Sequence, residues 1–144
     1  MTFNLTVKWV LQPEEWELLR LLRNSTAEAM TRHQGQISPS DQAEYARTTK
    51  KRHYLYFLEG VAVGWSSLSN ENEFAYGVSP LARGLGFGHS IIAHLQSLRA
   101  QLIGEAWDWN AASLHIMQKA GFVMTEKIES LSPAGTIIKV EWNA

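Results

Sequence analysis

The chain has 144 residues, 45% of them apolar, so it can bury the core of one domain and leaves little room for a second. It contains no cysteine, which excludes disulfide scaffolds, zinc–thiolate sites and a cysteine nucleophile. Thirteen basic and 14 acidic side chains give a net charge of −1, unlike a protein that coats nucleic acid. No apolar run approaches the roughly 20 residues that span a bilayer, and no signal peptide is evident. We therefore expect one cytoplasmic domain over residues 1–144.

The first half of the chain shows clear start signals for its elements. Pro13, followed by two glutamates, is typical of a helix N-terminus, and Ser38 before Pro39 predicts the N-cap of a second helix. Glu59-Gly60 between two apolar runs predicts a β-hairpin. The predicted elements are a strand at 3–10, a helix from 13, a helix from 39 to about 50, and strands at 54–58 and 61–65.

The second half alternates strands and helices around a glycine-rich segment. Apolar residues at helical spacing from Ile91 to Leu102 predict one helix, and Gly121 is typical of the residue that ends another. The predicted elements are strands at 73–79, 103–107, 122–131 and 136–142, with helices over 91–102 and 110–120. The order β-α-α-β-β-β-α-β-α-β-β predicts an α/β (α+β) fold, a mixed sheet of about seven strands flanked by about four helices.

The segment from Val78 to His89 predicts a strand, a glycine-rich turn and a helix start. Glycines at 84, 86 and 88 let backbone N–H groups converge on an anion, and Arg83 adds a fixed charge. The glycine spacing differs from the dinucleotide-binding pattern, and no Gly-Lys-Ser/Thr of a P-loop is present. A tight turn without a ligand is the alternative interpretation of these glycines.

The stretch Arg83-Gly84-Leu85-Gly86-Phe87-Gly88 resembles the R/Q-x-x-G-x-G/A motif of the GNAT acetyltransferase superfamily. Three further stretches resemble that family at its spacing: Glu73 to Pro80 as the preceding strand, Asn110 to Ser113 as the start of the next helix, and Lys119 to Phe122 as its end. The early Leu22-Arg23-Asn24 and Ile37-Ser38-Pro39 resemble the branch that modifies ribosomal proteins and amino sugars. The resemblance covers nearly the whole chain and implies a mostly antiparallel sheet.

The resemblance implies acetyl-coenzyme A as co-substrate, with its pyrophosphate on the glycine loop and its pantetheine arm beside the strand before it. A plain helix N-cap is the alternative role for Asn110. No set of metal ligands is evident, and we predict no metal. The implied coenzyme-binding residues are Gly77, Val78, Arg83, Gly84, Leu85, Gly86, Phe87, Gly88, His89, Asn110 and Ser113.

The resemblance also implies direct transfer of acetyl to an amine, and Glu73 is the candidate base, with a solvated strand residue as the alternative. The family often places a proton-donating Tyr four residues before the glycine that here is Gly121, but this chain has Met117 there. Tyr76 and Ser113 are the candidate substitutes, and helix capping is the alternative for Ser113. His115 is two residues from Met117, about 200° around a helix, and we expect it at the surface.

Six tryptophans are many for this length. Three of them lie in predicted strands and are expected in the core or on a sheet face: Trp9, Trp65 and Trp142. In the fold that the resemblance implies, Trp107 and Trp109 lie at the mouth of the acetyl site, and we expect one of them to line the acceptor pocket. Asp108 between them is a candidate for attracting a cationic amine.

We therefore expect an acetyl-coenzyme A-dependent N-acetyltransferase that acts on a primary amine of a small molecule, an amino sugar or a protein N-terminus. Two alternatives stay open: a catalytically impaired coenzyme A-binding sensor or interaction module, and an acyltransferase acting on a nucleic-acid base. The near-zero charge argues against nucleic-acid partners. We expect no membrane partner, and a monomer or a homodimer.

Overall fold

The structure, a computed structural model, describes residues 4–32, 35–129 and 135–144. These residues form the predicted α/β fold, and the order of its strands and α-helices is the predicted one. Phe3 and residues 130–134, which belong to the first predicted strand and the last predicted hairpin, lie outside the described residues. The strands are β1 (Thr6–Trp9), β2 (Arg52–Leu58), β3 (Val61–Leu68), β4 (Phe74–Val78), β5 (Gln101–Trp107), β6 (Val123–Glu129) and β7 (Thr136–Asn143). The helices are α1 (Pro13–Ser25), α2 (Pro39–Thr48), α3 (Phe87–Leu98) and α4 (Ala111–Lys119).

Helix α2 begins as its sequence predicts, because the Ser38 hydroxyl accepts a hydrogen bond from the Asp41 N–H at 3.1 Å. The prediction for helix α3 is wrong at its end. The helix stops at Leu98, Arg99 is extended, and Leu102 lies in β5. Leu102 is fully buried there. An apolar side chain suits a buried strand position as well as the buried face of a helix. Its spacing from Leu98 therefore continued the helical pattern by chance.

The seven strands form two antiparallel sheets instead of one mixed sheet, in the orders β1-β2-β3-β4 and β5-β7-β6. The sheets meet at a parallel bridge between Glu73 and Ile103. The chain passes from β4 to β5 through helix α3, and such a crossover makes the two strands parallel. Beyond the bridge no pairing joins β4 to β5 among the described residues, so the two sheets diverge and leave one edge of β4 open.

Helices cover both faces of the sheets. The larger core cluster includes helices α3 and α4 and strands of both sheets, with Phe87, Ile91, Leu95 and Met117 almost fully buried. A smaller cluster includes α1 and the first sheet around Leu19, Leu55 and Trp65. Of the other two strand tryptophans, Trp142 is partly buried, whereas Trp9 is 48% exposed beneath the Arg52 guanidinium. Within the described ranges, no helix is both long and apolar enough to cross a lipid bilayer.

Candidate active site

A cleft of about 1440 Å³ lies where β4 and β5 diverge. Helix α1 and the segment after it, the start of α3, the start of α4 and strand β5 contribute to its walls. The structure brings most of the predicted site residues together in this cleft. Those that line it are Glu73, Tyr76, Gly77, Val78, Arg83, Gly84, Gly86, Phe87, Gly88, His89, Trp109, Asn110 and Ser113.

The glycine loop presents unused backbone donors to the cleft. Gly84 and Gly86 have φ angles of +79° and +89°, in the left-handed region that glycine tolerates without strain. Among the described residues, no acceptor is found for the N–H groups of Gly84, Leu85 and Gly86. Helix α3 then begins with neither a capping side chain nor an acidic residue in its first turn. The positive end of its dipole is therefore left for an external anion.

The open edge of β4 provides a second set of backbone groups. The N–H of Ser79 donates to the Val63 carbonyl and the N–H of Ser69 to the Glu73 carbonyl, so the odd-numbered residues of β4 face β3. Because backbone groups alternate along a strand, those of Tyr76 and Val78 face the cleft. Asn72, in the same alternation, accepts the N–H of Ile103 where the two sheets meet. An extended amide-containing ligand can therefore pair with this edge as a further strand would.

Gly77 is required by the protein's own packing. A Cβ at this position would collide with Nε1 of Trp65 and lie 2.9 Å from Oγ1 of Thr26. Thr26 Oγ1 also accepts a hydrogen bond from Trp65 Nε1 at 3.1 Å. The absence of a side chain at Gly77 thus lets the indole of Trp65 lie flat against β4.

Tyr76 and Ser113 form a hydroxyl pair on the cleft wall. Their oxygens are 2.7 Å apart, which joins β4 to the first turn of α4. Burial raises the pKa of Tyr76 above its ordinary value, and the Ser113 hydrogen bond opposes this shift only in part. The phenol therefore keeps its proton at neutral pH and is able to donate it. The alternative role of Ser113 as a capping hydroxyl is not what the structure shows, since its oxygen is directed to Tyr76.

Glu73 lines the cleft where β4 meets β5, and the lining also includes a second carboxylate that sequence reasoning missed. Glu105 of β5 forms an ion pair with Arg32 at 2.6 Å and accepts a hydrogen bond from Thr31 at 3.1 Å. Glu73 is exposed, and its negative charge helps to raise the pKa of Arg32. No cation of the described residues lies within 4.0 Å of its carboxylate. Glu73 is therefore available to accept a proton.

Comparison with known families identifies this arrangement. A sequence model of the Acetyltransferase (GNAT) family matches residues 16–122, well over half of the chain, and the match includes both the glycine loop and the cleft strand β4. This chain belongs to the GNAT family of acetyltransferases. No protein of curated function matches it at a significant level of sequence similarity.

Solved structures share the fold of this GNAT domain over nearly its whole length. A spermidine N-acetyltransferase from Vibrio cholerae, in complex with CoA and spermine, is 15% identical with a TM-score of 0.82, covering 96% of this chain and 95% of that one. A ribosomal-protein-alanine N-acetyltransferase from Brucella melitensis is 15% identical with a TM-score of 0.81, covering 96% and 99%. A phosphinothricin acetyltransferase from Sinorhizobium meliloti, in complex with AcCoA, is 14% identical with a TM-score of 0.80, covering 96% and 88%.

Met117 occupies the position where the resemblance to the family implies a tyrosine. This side chain is 1% exposed and packs in the larger core cluster, away from the cleft lining. Ser113, four residues earlier on the same helix, carries a hydroxyl and lines the cleft. His115, expected only at the surface, is exposed and also borders the cleft.

Four predicted site residues have other roles or other positions. Asn110 caps α4, its side chain accepting the Ser113 N–H at 3.3 Å, and also lines the cleft. Leu85 and Asp108 are exposed outside the cleft lining, and Asp108 accepts the N–H of Thr136 at 3.4 Å. Trp107 is buried, donates to the Met30 carbonyl and stacks on Trp109 with ring planes 10° apart. Of this predicted acceptor group, only Trp109 lines the cleft.

Sequence reasoning missed the polar groups at the end of the cleft formed by α1, α2 and β2. These are Arg23, Gln42, Tyr45 and His53, all of which line the cleft. Arg23 belongs to the stretch Leu22-Arg23-Asn24 that resembles a branch of the family, but no pattern in the sequence connects it with the other three residues, which lie on other elements. Their proximity arises only when α1 and α2 pack together over the first sheet.

Proposed function

We propose that this chain transfers an acetyl group from acetyl-coenzyme A to a primary amine. The observation that carries the proposal is the juxtaposition, in one cleft, of an unpartnered backbone anion cradle and the open edge of β4. The first suits a pyrophosphate and the second suits the amides of a pantetheine arm. Structures of similar fold that are described with CoA or AcCoA bound support this choice of co-substrate.

The coenzyme would be held by groups along one continuous stretch of chain. Arg83 and the N–H groups from Gly84 to His89 would bind the pyrophosphate, and the backbone of Tyr76 and Val78 would pair with the pantetheine arm. Arg83 has only a weak partner, since its guanidinium lies 4.0 Å from Glu28 and half of its side chain is exposed. Such a long, solvated ion pair offers little resistance to replacement by a phosphate.

Acetyl-coenzyme A supplies an acetyl carbon activated as a thioester. A bond from the amine nitrogen to this carbon forms, the carbon–sulfur bond breaks, the amine loses a proton and the leaving thiolate gains one. Glu73 is proposed to take the amine proton through water, because three residues of extended strand, about 10 Å, separate it from Tyr76. One of the two N–H groups on this edge, that of Tyr76 or that of Val78, can instead stabilise charge on the acetyl oxygen.

Tyr76 is proposed to return a proton to the thiolate in place of the family's tyrosine at the Met117 position. Its raised pKa keeps the hydroxyl protonated, and Ser113 fixes the direction of that hydroxyl. The alternative of a coenzyme A-binding sensor is favoured by one observation only, the buried methionine at position 117. The hydroxyl pair supplies what that methionine lacks, and we therefore place the enzyme first.

The test measures coenzyme A release with a thiol reagent over a panel of primary amines. Because the chain has no cysteine, every thiol detected comes from the coenzyme. We expect saturable acetyl-coenzyme A binding and turnover with at least one amine. Tight binding without turnover on any amine would favour the sensor, and the absence of binding would overturn both.

A variant of the proposed base sharpens this test. Glu73→Gln is expected to lower kcat by about 100-fold and to flatten its dependence on pH, as loss of a general base does. Glu71→Gln is the matched control, since Glu71 is an exposed glutamate two residues away that does not line the cleft. Equal rates for wild type and Glu73→Gln would remove Glu73 from the mechanism.

A further inference from the structure

Arg23 is a half-buried cation of the cleft wall without a carboxylate partner. The structure pairs four other arginines with glutamates within 4.0 Å, namely Arg20, Arg32, Arg47 and Arg83. No such pair involves Arg23 among the described residues, although exposed Asp41 also lines the cleft. A partly desolvated guanidinium is costly unless an anion or acceptor satisfies its N–H groups.

Two aromatic rings hold this guanidinium in place. Its central carbon lies 5.4 Å from the ring centroid of Tyr45 and 5.6 Å from that of Trp65. Such contacts stabilise the charge but supply no hydrogen-bond acceptor, and no hydrogen bond joins the Arg23 guanidinium to another residue that the structure describes. A fork held in position with free N–H groups suits the two oxygens of a carboxylate.

Two buried side chains of the same cleft each carry one polar atom without a hydrogen-bond partner among the described residues. Gln42 and His53 are 3% and 2% exposed, and both line the same cleft. Gln42 donates to the Trp16 carbonyl at 3.2 Å and His53 Nε2 lies 2.8 Å from the Tyr45 hydroxyl, but Gln42 Oε1 and His53 Nδ1 have no hydrogen-bond partner. Unsatisfied buried polar atoms at a cleft wall indicate that a ligand completes the site.

The electrostatics of this end of the cleft favour an anion. His53 faces Arg23 and Lys51, and burial together with these two cations lowers its pKa to about 3. His53 is therefore neutral at physiological pH, where it adds a hydrogen-bonding atom without a charge. Arg23 and Lys51 give this end of the cleft two positive charges, and Asp41 of α2, also in the cleft lining, contributes one negative charge.

Trp65 lies between Arg23 and the edge strand β4. One face of its indole meets the Arg23 guanidinium, and its Nε1 lies against Gly77 of β4. A ligand that joins Arg23 to the open edge of β4 therefore needs only a few bonds between its anionic group and its amine.

We infer that the acceptor is a small primary amine that carries a carboxylate, an α-amino acid, and that Arg23 binds this carboxylate. The inference rests on the proposed acetyl transfer and narrows its acceptor. By this inference a polyamine is a poor acceptor, since a polyamine carries only cations, which Arg23 repels. His53 Nδ1 can donate to the same carboxylate as the N–H of the neutral ring, whereas Gln42 Oε1 only accepts hydrogen bonds and does not bind it.

The test compares matched acceptors in the thiol-release assay. The panel consists of α-amino acids and phosphinothricin, each amino acid's α-carboxamide, and spermidine. We expect kcat/KM to be about tenfold or more higher for the best amino acid than for its carboxamide, and spermidine to be poor. Arg23→Gln should reduce this advantage to less than about twofold by raising KM, and Arg23→Lys should restore part of it. Arg20→Gln, on the same helix and outside the cleft lining, is the control.

Binding of the product gives a readout that does not need turnover. Calorimetry should show the N-acetyl amino acid binding to wild type with coenzyme A present, and about tenfold weaker binding to Arg23→Gln, whose folding is checked by its Tm. Turnover with equal efficiency for acids and amides, or a preference that survives Arg23→Gln, would overturn the inference while leaving acetyl transfer intact. If no amine turns over, acetyl transfer fails, and product affinities that Arg23→Gln leaves unchanged would then overturn the carboxylate site as well.

Discussion

The proposed coenzyme half of the cleft consists of the backbone of one continuous segment, residues 76–89, whereas the proposed acceptor half consists of side chains from α1, α2, β2 and β3. Backbone N–H groups suit the phosphates shared by all coenzyme A thioesters, so the sequence needs only glycines at the right spacing. Side chains such as Arg23 would bind what differs between acceptors. A common cofactor thus leaves a compact motif in the sequence, and a particular acceptor leaves scattered residues.

Tyr76 lies at the junction of the two halves, and removing its hydroxyl should have the largest effect. Tyr76→Phe is expected to lower kcat by about 100-fold, as loss of a general acid does, and to leave KM for acetyl-coenzyme A nearly unchanged. Steady-state kinetics measure both values. Tyr54→Phe is the control, because Tyr54 is a buried core tyrosine outside the cleft lining. A normal kcat for Tyr76→Phe would mean that the thiolate leaves without this proton donor.

The coenzyme half can be weakened alone by straining its loop. Gly86→Val places a branched side chain at φ +89°, which costs about 1–3 kcal/mol and shifts the N–H groups of the cradle. We expect coenzyme A affinity to fall by about 10-fold or more in calorimetry. Gly60→Val carries a similar strain, at φ +82° in the β2–β3 turn, outside the cleft lining. If both variants bind coenzyme A equally well, the loop does not hold the pyrophosphate.

His53, in the proposed acceptor half, should make the free energy of unfolding depend on pH in the acid range. His53 has a pKa lowered to about 3 in the fold but near its ordinary 6.5 when unfolded, so the unfolded chain binds more protons between these values. The free energy of unfolding should therefore fall as pH decreases from 6.5 towards 3, by up to about 1.4 kcal/mol per pH unit.

His53→Gln should reduce this slope in urea denaturation followed across that pH range. Part of the slope is expected to persist, because burial also lowers the pKa of His94. His115→Gln, which changes an exposed histidine, serves as the control. A slope that is the same in wild type and His53→Gln would mean that His53 takes up its proton within the folded protein.

The sequence by itself determined the order of the elements, the start of α2 at Ser38 and the family, since each depends on residues close together in the chain. It also marked the segment of the cradle, because Gly84 and Gly86 follow a strand and precede a helix. It failed where a pattern has two explanations, as at Leu102, which fits a helix face and a buried strand equally well.

The tertiary structure alone decided how the two sheets diverge, where the hydroxyl of Tyr76 lies and which residues line the proposed acceptor half of the cleft. Tyr76 and Ser113 are 37 positions apart, and Thr26 meets Trp65 across 39. Contacts over such separations depend on which helices pack on which strands, and burial energy over the whole fold sets that packing. Arg23 became a candidate for function only when the fold placed it in the cleft without a carboxylate beside it.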